Sequence, residues 1–176
     1  KEVMLLYNKK LSVSPLTTHI SINKISKNIT KNKIINNVKT ISKFYKKNFK
    51  IKPKFGILGL NPHNYSGSNY SEEDAIIRPS IRILKKLNMN VIGPISPDSS
   101  FMYFKKYKFD VIIGMYHDQV LSPFKALYKH DAINITLGLP YVRISPDHGV
   151  GENIMGKNLA DPKSLILSIN FFNKIN

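Results

Sequence analysis

A chain of 176 residues with 42% hydrophobic residues is long enough to bury roughly two thirds of the surface its unfolded form exposes, and its apolar runs fall short of the roughly 20 residues a membrane-spanning helix needs. Zero cysteines exclude disulfides and thiolate metal sites and fit a reducing, cytoplasmic address. The formal charge of +16 raises nucleic acid as a partner, yet its lysines are dispersed and only Arg78, Arg82 and Arg143 offer guanidinium forks, so a solvated lysine-rich surface accounts for it better.

Lys1 to Leu6 holds a brief apolar run, too short for a signal peptide. Ile34, Ile35, Val38, Ile41 and Phe44 or Tyr45 recur at helical spacing behind the capping residue Thr30, which predicts an amphipathic helix from about Thr30 to Lys47 lying on a sheet. The uniformly apolar run Phe55 to Leu60 reads as a buried parallel strand that empties into Asn61, Pro62 and His63. Ser71 to Asp74 place a cap and negative charge at a second helix start, and Pro79 should bend that helix. Val91 to Ile95 and Asp110 to Met115 read as further strands, with the aromatic segment Phe101 to Phe109 between them. Ala132 to Leu139 and Tyr141 to Ser145 read as strands joined at Pro140, and a Gly-rich stretch from Asp147 to Asp161 leads to a last helix with Asp161 at its N-cap and Pro162 at its first position. Strands alternating with helices argue for an α/β fold with ligands at the carboxyl edge of the sheet.

Two sets of side chains could carry chemistry. His19, His63 and His117 sit in tight polar loops. Any one alone is more often a surface or hydrogen-bonded histidine than a ligand, but His63 and His117 each follow an apolar strand, and parallel pairing would bring both to one edge. Three imidazoles there could hold a divalent ion and leave a position open for substrate. Lys125, Asn134 and Arg143 form a cationic and amide set suited to a phosphorylated, carboxylated ligand, although Lys125 could simply lie along the surface and Arg143 could pair with Asp147.

The strings GLNPH, GP followed by a PD pair, MYHDQ and the lysine after it, NITLGLP, R-x-S-x-DHG and GK-x-x-AD resemble, in order and spacing, successive blocks of the 4-hydroxythreonine-4-phosphate dehydrogenase family, from about Thr17 to the end of the chain. The segment His148 to Pro162 is also similar to the adenine-side loop of isocitrate and isopropylmalate dehydrogenases. The resemblance implies that fold, with helices packed on a mostly parallel sheet, as the C-terminal half of a two-domain chain. Residues 1–131 would be the middle, metal- and substrate-binding domain, and 132–176 a segment returning to a first, largely missing domain. It implies oxidative decarboxylation of 4-phosphooxy-L-threonine with NAD or NADP, in vitamin B6 synthesis. It further implies a homodimer whose interface holds one divalent metal ion, zinc, magnesium or cobalt, on His19, His63 and His117. Lys125, Asn134 and Arg143 match substrate-binding positions, Asp98 and Asp118 match acidic positions near the site, with no catalytic base assigned, and His148, Gly149 and Asn153 lie in the candidate cofactor loop. The chain departs from the family in three places. NYSGSNYSEE replaces a Gly-rich loop, Val150 and Gly151 replace a small hydroxylated residue and an alanine, and the His-Thr pair of the family's N-terminal half has no counterpart. The alternative reading is a partial chain acting only as a binding module or as half of a split enzyme.

Overall fold

The computed structural model describes residues 2–65 and 70–175, so the middle of the NYSGSNYSEE segment, 66–69, lies outside the described residues. The strands are β1 (Val3–Tyr7), β2 (Ser12–Pro15), β3 (Phe55–Leu58), β4 (Val91–Ile95), β5 (Val111–Gly114), β6 (Ile133–Leu137) and β7 (Arg143–Pro146). They form one sheet in the order β4-β3-β5-β2-β1-β6-β7. Strands β2 to β5 pair in parallel, β1 runs antiparallel to both β2 and β6, and β7 runs antiparallel to β6, so all strands but β1 and β7 point the same way.

The helices are a short α1 (Ile25–Asn28), α2 (Lys31–Phe49), α3 (Arg78–Lys86), α4 (Pro97–Tyr107), α5 (His117–Tyr128) and α6 (Lys163–Ile175). None is long and apolar enough to cross a membrane, among the described residues. Thr30 caps α2 by accepting a hydrogen bond from the Lys33 N–H at 3.2 Å, and Lys50 ends the helix in the left-handed conformation. Between them Ile34, Val38, Ile41 and Tyr45 form one buried stripe, each aliphatic side chain contributing about 1.5–3 kcal/mol. Asp161 accepts from the Lys163 N–H at 2.8 Å ahead of α6, which begins at Lys163, one residue later than expected. Ahead of Pro79 the helix is disturbed into a π turn, Glu73–Ile77, where the extra residue per turn relieves a segment whose proline lacks an N–H.

Side chains of β1, β3, β5 and β6 pack on one face against α2, α3 and Phe171 of α6, and the other face packs Leu6, Val13, Leu58 and Ile112 against Phe104, Val120, Leu121 and Phe124 of α4 and α5. The structure departs from the sequence reading in three ways. The opening apolar run, for which the sequence predicts no element, is strand β1, and with β2 it lies inside the sheet. The aromatic segment belongs to helix α4 as far as Tyr107, with Phe109 beyond its left-handed end at Lys108. The chain from Ala132 onward, expected to return to a largely missing domain, joins this same sheet: β6 pairs with β1 from Val3↔Leu137 to Tyr7↔Ile133, takes β7 on its other side, and buries Ile133, Ile135 and Leu137.

Candidate active site at the carboxyl edge of the sheet

The four parallel strands release their loops at one edge, which gathers His19 after β2, His63 after β3, Asp98 after β4 and His117 after β5. The His19 and His117 rings face each other with centroids 5.5 Å apart. His117 Nδ1 lies 2.7 Å from Asp118 Oδ1, an arrangement that fixes the ring and leaves Nε2 free. His63 is exposed, with a left-handed φ of 53°, and its Nδ1 lies 3.7 Å from Asp98 Oδ2. The Ser96 hydroxyl, donating to Asp98 at 2.7 Å, and then the neighbouring His63 hold the Asp98 carboxyl below its ordinary value. Among the described residues no three His, Cys, Asp or Glu side chains come close enough to hold a metal ion. The donors have the chemistry a divalent ion requires. Within one chain, however, two imidazoles stand together and the third stands beside Asp98, so the set is complete only after a loop adjusts or a second chain contributes.

The His63 loop is built around a carboxylate. Glu73 is fully buried and accepts from the Leu60 N–H at 2.7 Å, the Asn61 N–H at 2.8 Å and the Asn61 amide at 2.8 Å. The π turn lets adjacent acids face the same loop, since the Asn61 amide also reaches Glu72 at 2.9 Å. Gly59 is required beneath it, because a Cβ there would come within 2.1 Å of Asn64 Oδ1. Sequence reasoning took this acidic pair only as charge at a helix start.

The second set lies on the face of β6 that α6 does not cover. Asn134 and Thr136 alternate with buried Ile133, Ile135 and Leu137, and the register places Ser145 beside Asn134 and Arg143 beside Thr136 on the same face. Arg143 Nη1 donates to the Thr136 hydroxyl at 2.8 Å, so its fork is oriented rather than loose; it makes no pair with Asp147. That acid holds Lys125 instead, with Nζ 3.2 Å from Asp147 Oδ1. Burial pushes the Asp147 carboxyl above its ordinary value, against the pull of Lys125, and the Asp147 N–H donates to Ser164 at the start of α6. Asn134 Oδ1 and Asp147 Oδ2 are buried and take no hydrogen bond within the structure. A buried acceptor of this kind favours a ligand bearing a hydroxyl or ammonium. The candidate cofactor loop is open: His148, Gly149 and Asn153 are exposed, and a Cβ at Gly149 would meet nothing within 4 Å.

A mostly parallel α/β sheet with helices on both faces and polar loops gathered at its carboxyl edge is the architecture of the isocitrate dehydrogenase-like enzymes. The chain belongs to the family of the pyridoxal phosphate biosynthetic protein PdxA, whose description matches residues 1–172. The match starts ahead of Thr17, where the resemblance by motifs began, because β1 and β2 carry none of the motif residues. A 4-hydroxythreonine-4-phosphate dehydrogenase of Sulfurihydrogenibium sp. is 47% identical over 168 residues, which cover 94% of this chain and 52% of that protein. A D-threonate 4-phosphate dehydrogenase of Pectobacterium atrosepticum is 32% identical, over 94% of this chain and 51% of its own. The crystal structure of 4-hydroxythreonine-4-phosphate dehydrogenase from Klebsiella pneumoniae superposes with a TM-score of 0.84 at 32% identity, covering 99% of this chain and 53% of that one. The chain thus spans about half the length of the relatives it matches.

Proposed function

We propose that this chain forms one half of a cytoplasmic, homodimeric enzyme of vitamin B6 synthesis that oxidises and decarboxylates 4-phosphooxy-L-threonine to 3-amino-2-oxopropyl phosphate. Bound NAD or NADP would accept the hydride from the carbinol carbon, with the hydroxyl proton released. The β-keto acid then loses carbon dioxide. The observation that carries the reading is the shelf on β6 and β7, where Arg143, oriented by Thr136, shares a face with Asn134. An oriented guanidinium can hold a phosphate or carboxylate through two parallel hydrogen bonds, and so set the reacting carbon in place. Lys125 adds a second cation at the margin of the shelf, and the Asn134 acceptor suits the substrate's ammonium or hydroxyl. His19, His63 and His117 are the residues that would hold zinc, magnesium or cobalt across the dimer interface, and the ion would supply charge stabilisation at the oxygen that becomes a ketone. Asp118 would orient His117, and Asp98 would do the same for His63; neither is assigned as a base. The loop carrying His148, Gly149 and Asn153 would receive the adenine side of the cofactor, and residues 132–176 would reach towards the other domain from the sheet they share with 1–131.

A second reading, a binding module without turnover, is favoured by α6. Its outward residues Leu165, Ile166, Ile169 and Phe172 are apolar and 44–53% exposed, opposite the buried Ser164, Ser168 and Phe171. An exposed apolar helix face of this kind ordinarily packs against another surface. One experiment separates the readings. The chain is assayed for NADH production with 4-phosphooxy-threonine and divalent metal, alone and mixed with the uncovered half of the Sulfurihydrogenibium relative. The expected result is no turnover alone, since lost positioning removes roughly 7–11 kcal/mol of catalysis, and activity in the mixture that Arg143→Ala lowers. Substrate binding without turnover in the mixture would favour the binding module, and no binding at all would overturn both.

A further inference from the structure

The three histidine loops are tied together by hydrogen bonds, and the tie that reaches the His63 loop passes through one side chain. The Gln119 amide oxygen accepts from the Met115 N–H at 2.6 Å, and its amide nitrogen donates to the Gly59 carbonyl at 2.8 Å. Met115 leads from β5 to His117, and Gly59 opens the loop that carries His63. On its other side Met115 accepts, through its carbonyl, the buried Thr17 hydroxyl at 2.8 Å, and Thr17 lies in the loop that carries His19. Gly59 in turn donates its N–H to the Ile95 carbonyl at 3.0 Å, which ties in the strand that leads to Asp98. The first turn of α5 reaches this position because β5 ends in Gly114, where a Cβ would meet Val120 Cγ1 at 2.4 Å and Gln119 Oε1 at 3.1 Å. Loops joined only by chain termini of strands drift independently; here the exits of four strands share a half-buried polar chain with Gln119 at its centre.

From this geometry we infer that Gln119 is a positioning residue: it sets the His63 loop against the His19 and His117 loops, so that the relative placement of the three imidazoles is lost when its two hydrogen bonds are removed. The inference deepens the metal reading above and rests on it only for its second readout. The amide is suited to the task because it offers one acceptor and one donor in a fixed plane, matching a backbone N–H on one loop and a backbone carbonyl on the other. A carboxylate satisfies the first and repels the second. An apolar side chain satisfies neither.

The test compares the wild-type chain with Gln119→Leu, Gln119→Glu, His117→Ala and, as a control of destabilisation away from the loops, Ile135→Val. The first readout needs no metal: nitrogen-detected imidazole resonances. In Gln119→Leu those of His19 and His63, neither of which touches Gln119, are expected to shift together with His117, whereas His130 and His148 stay in place and Ile135→Val moves none. The second readout is Co²⁺ or Zn²⁺ affinity, expected to fall about 10- to 100-fold in Gln119→Leu, the range usual for groups that orient metal ligands, with Gln119→Glu in between because it keeps the Met115 tie. Unmoved His19 and His63 resonances, with metal affinity lost in His117→Ala but intact in both Gln119 variants, would overturn the inference and spare the metal reading. Metal affinity unchanged even in His117→Ala would instead sink the metal reading, and the resonances alone would then decide for or against Gln119. If Gln119→Leu fails to fold, Gln119→Glu carries both readouts.

Discussion

The two halves of the sheet are built differently and place different chemistry. In the β5-β3-β4 half the strands run parallel, and the interior of β3 and β5 is uniformly buried between α2 and α3 on one side and α4 and α5 on the other. Nothing polar can project from the middle of such strands, so the histidines and acids stand in the loops at their ends. In the β1-β6-β7 half the strands run antiparallel and only one face of β6 and β7 is covered, by α6. Alternation then turns every second residue outward, and the polar side chains Asn134, Thr136, Arg143 and Ser145 come from the strands themselves. A covered parallel half can offer a site only at its ends, whereas a half-open antiparallel one can offer its face.

The largest effect that sharpens this contrast lies in stability. Phe55→Ala empties a fully buried position in β3 and should cost about 3–5 kcal/mol. Phe172→Ser, on the outward face of α6, should stay within about 0.5 kcal/mol and lower any self-association seen by light scattering. Denaturant melts of both variants check the pair. A Phe172→Ser loss as large as that of Phe55→Ala would mean that this face is already packed within the chain.

The same contrast explains what the sequence made legible. Strands β3 and β5 announce themselves as apolar runs that end in polar loops, and α2 by its stripe and its cap, so the histidine edge could be read from order alone. Strand β2 could not, although it lies near the middle of the sheet. Its SVSP sequence looks like a loop because the serines are buried through partners distant in sequence: Tyr45 donates to Ser12 at 2.7 Å, and Ser14 donates to the Met4 carbonyl at 2.6 Å and accepts from Asn37 at 3.1 Å. Polar residues satisfied only by tertiary contact leave no local signal. Gln119 and Glu73 were hidden for a related reason, since what they do depends on backbone groups of loops far along the chain. Whether three imidazoles share one ion depends on side-chain placement that periodicity does not encode. The partners of the cationic residues were not legible: Arg143 goes to Thr136, and Asp147 goes to Lys125.

A smaller effect probes the open face. Arg143→Ala should weaken binding of 4-phosphooxy-threonine by about 1.5–3 kcal/mol, as loss of a charge-assisted hydrogen bond does. Thr136→Val, which removes only the hydroxyl that orients the guanidinium, should cost about 1 kcal/mol. Titration calorimetry with each variant measures both. Equal affinities for wild type and Arg143→Ala would remove the shelf from the substrate site.

The smallest effect concerns pH and the margin where the two halves meet. Asp147 is 6% exposed, its Oδ1 is 3.2 Å from Lys125 Nζ, and its Oδ2 is buried with no hydrogen-bond partner. Burial raises its pKa despite the lysine, so the folded chain holds this proton more strongly than the unfolded chain, whose value is near the ordinary ~3.9. The contribution to stability is therefore fully present below the unfolded pKa and is lost as pH rises through the folded one. At neutral pH the wild type carries the cost of a buried carboxylate that its single ion pair does not offset, Lys125 being 44% exposed and screened by solvent. Asp147→Asn keeps the shape and removes the charge. It should melt slightly higher than wild type at pH 7, and the difference should shrink as the pH is lowered towards 4, where the wild-type carboxyl takes up its proton. Melting curves from pH 4 to 8 read this directly. A variant that melts lower than wild type at pH 7, with the gap closing in acid, would show that the lysine pair outweighs burial, and would make Asp147 a stabilising partner of the cation at the edge of the shelf.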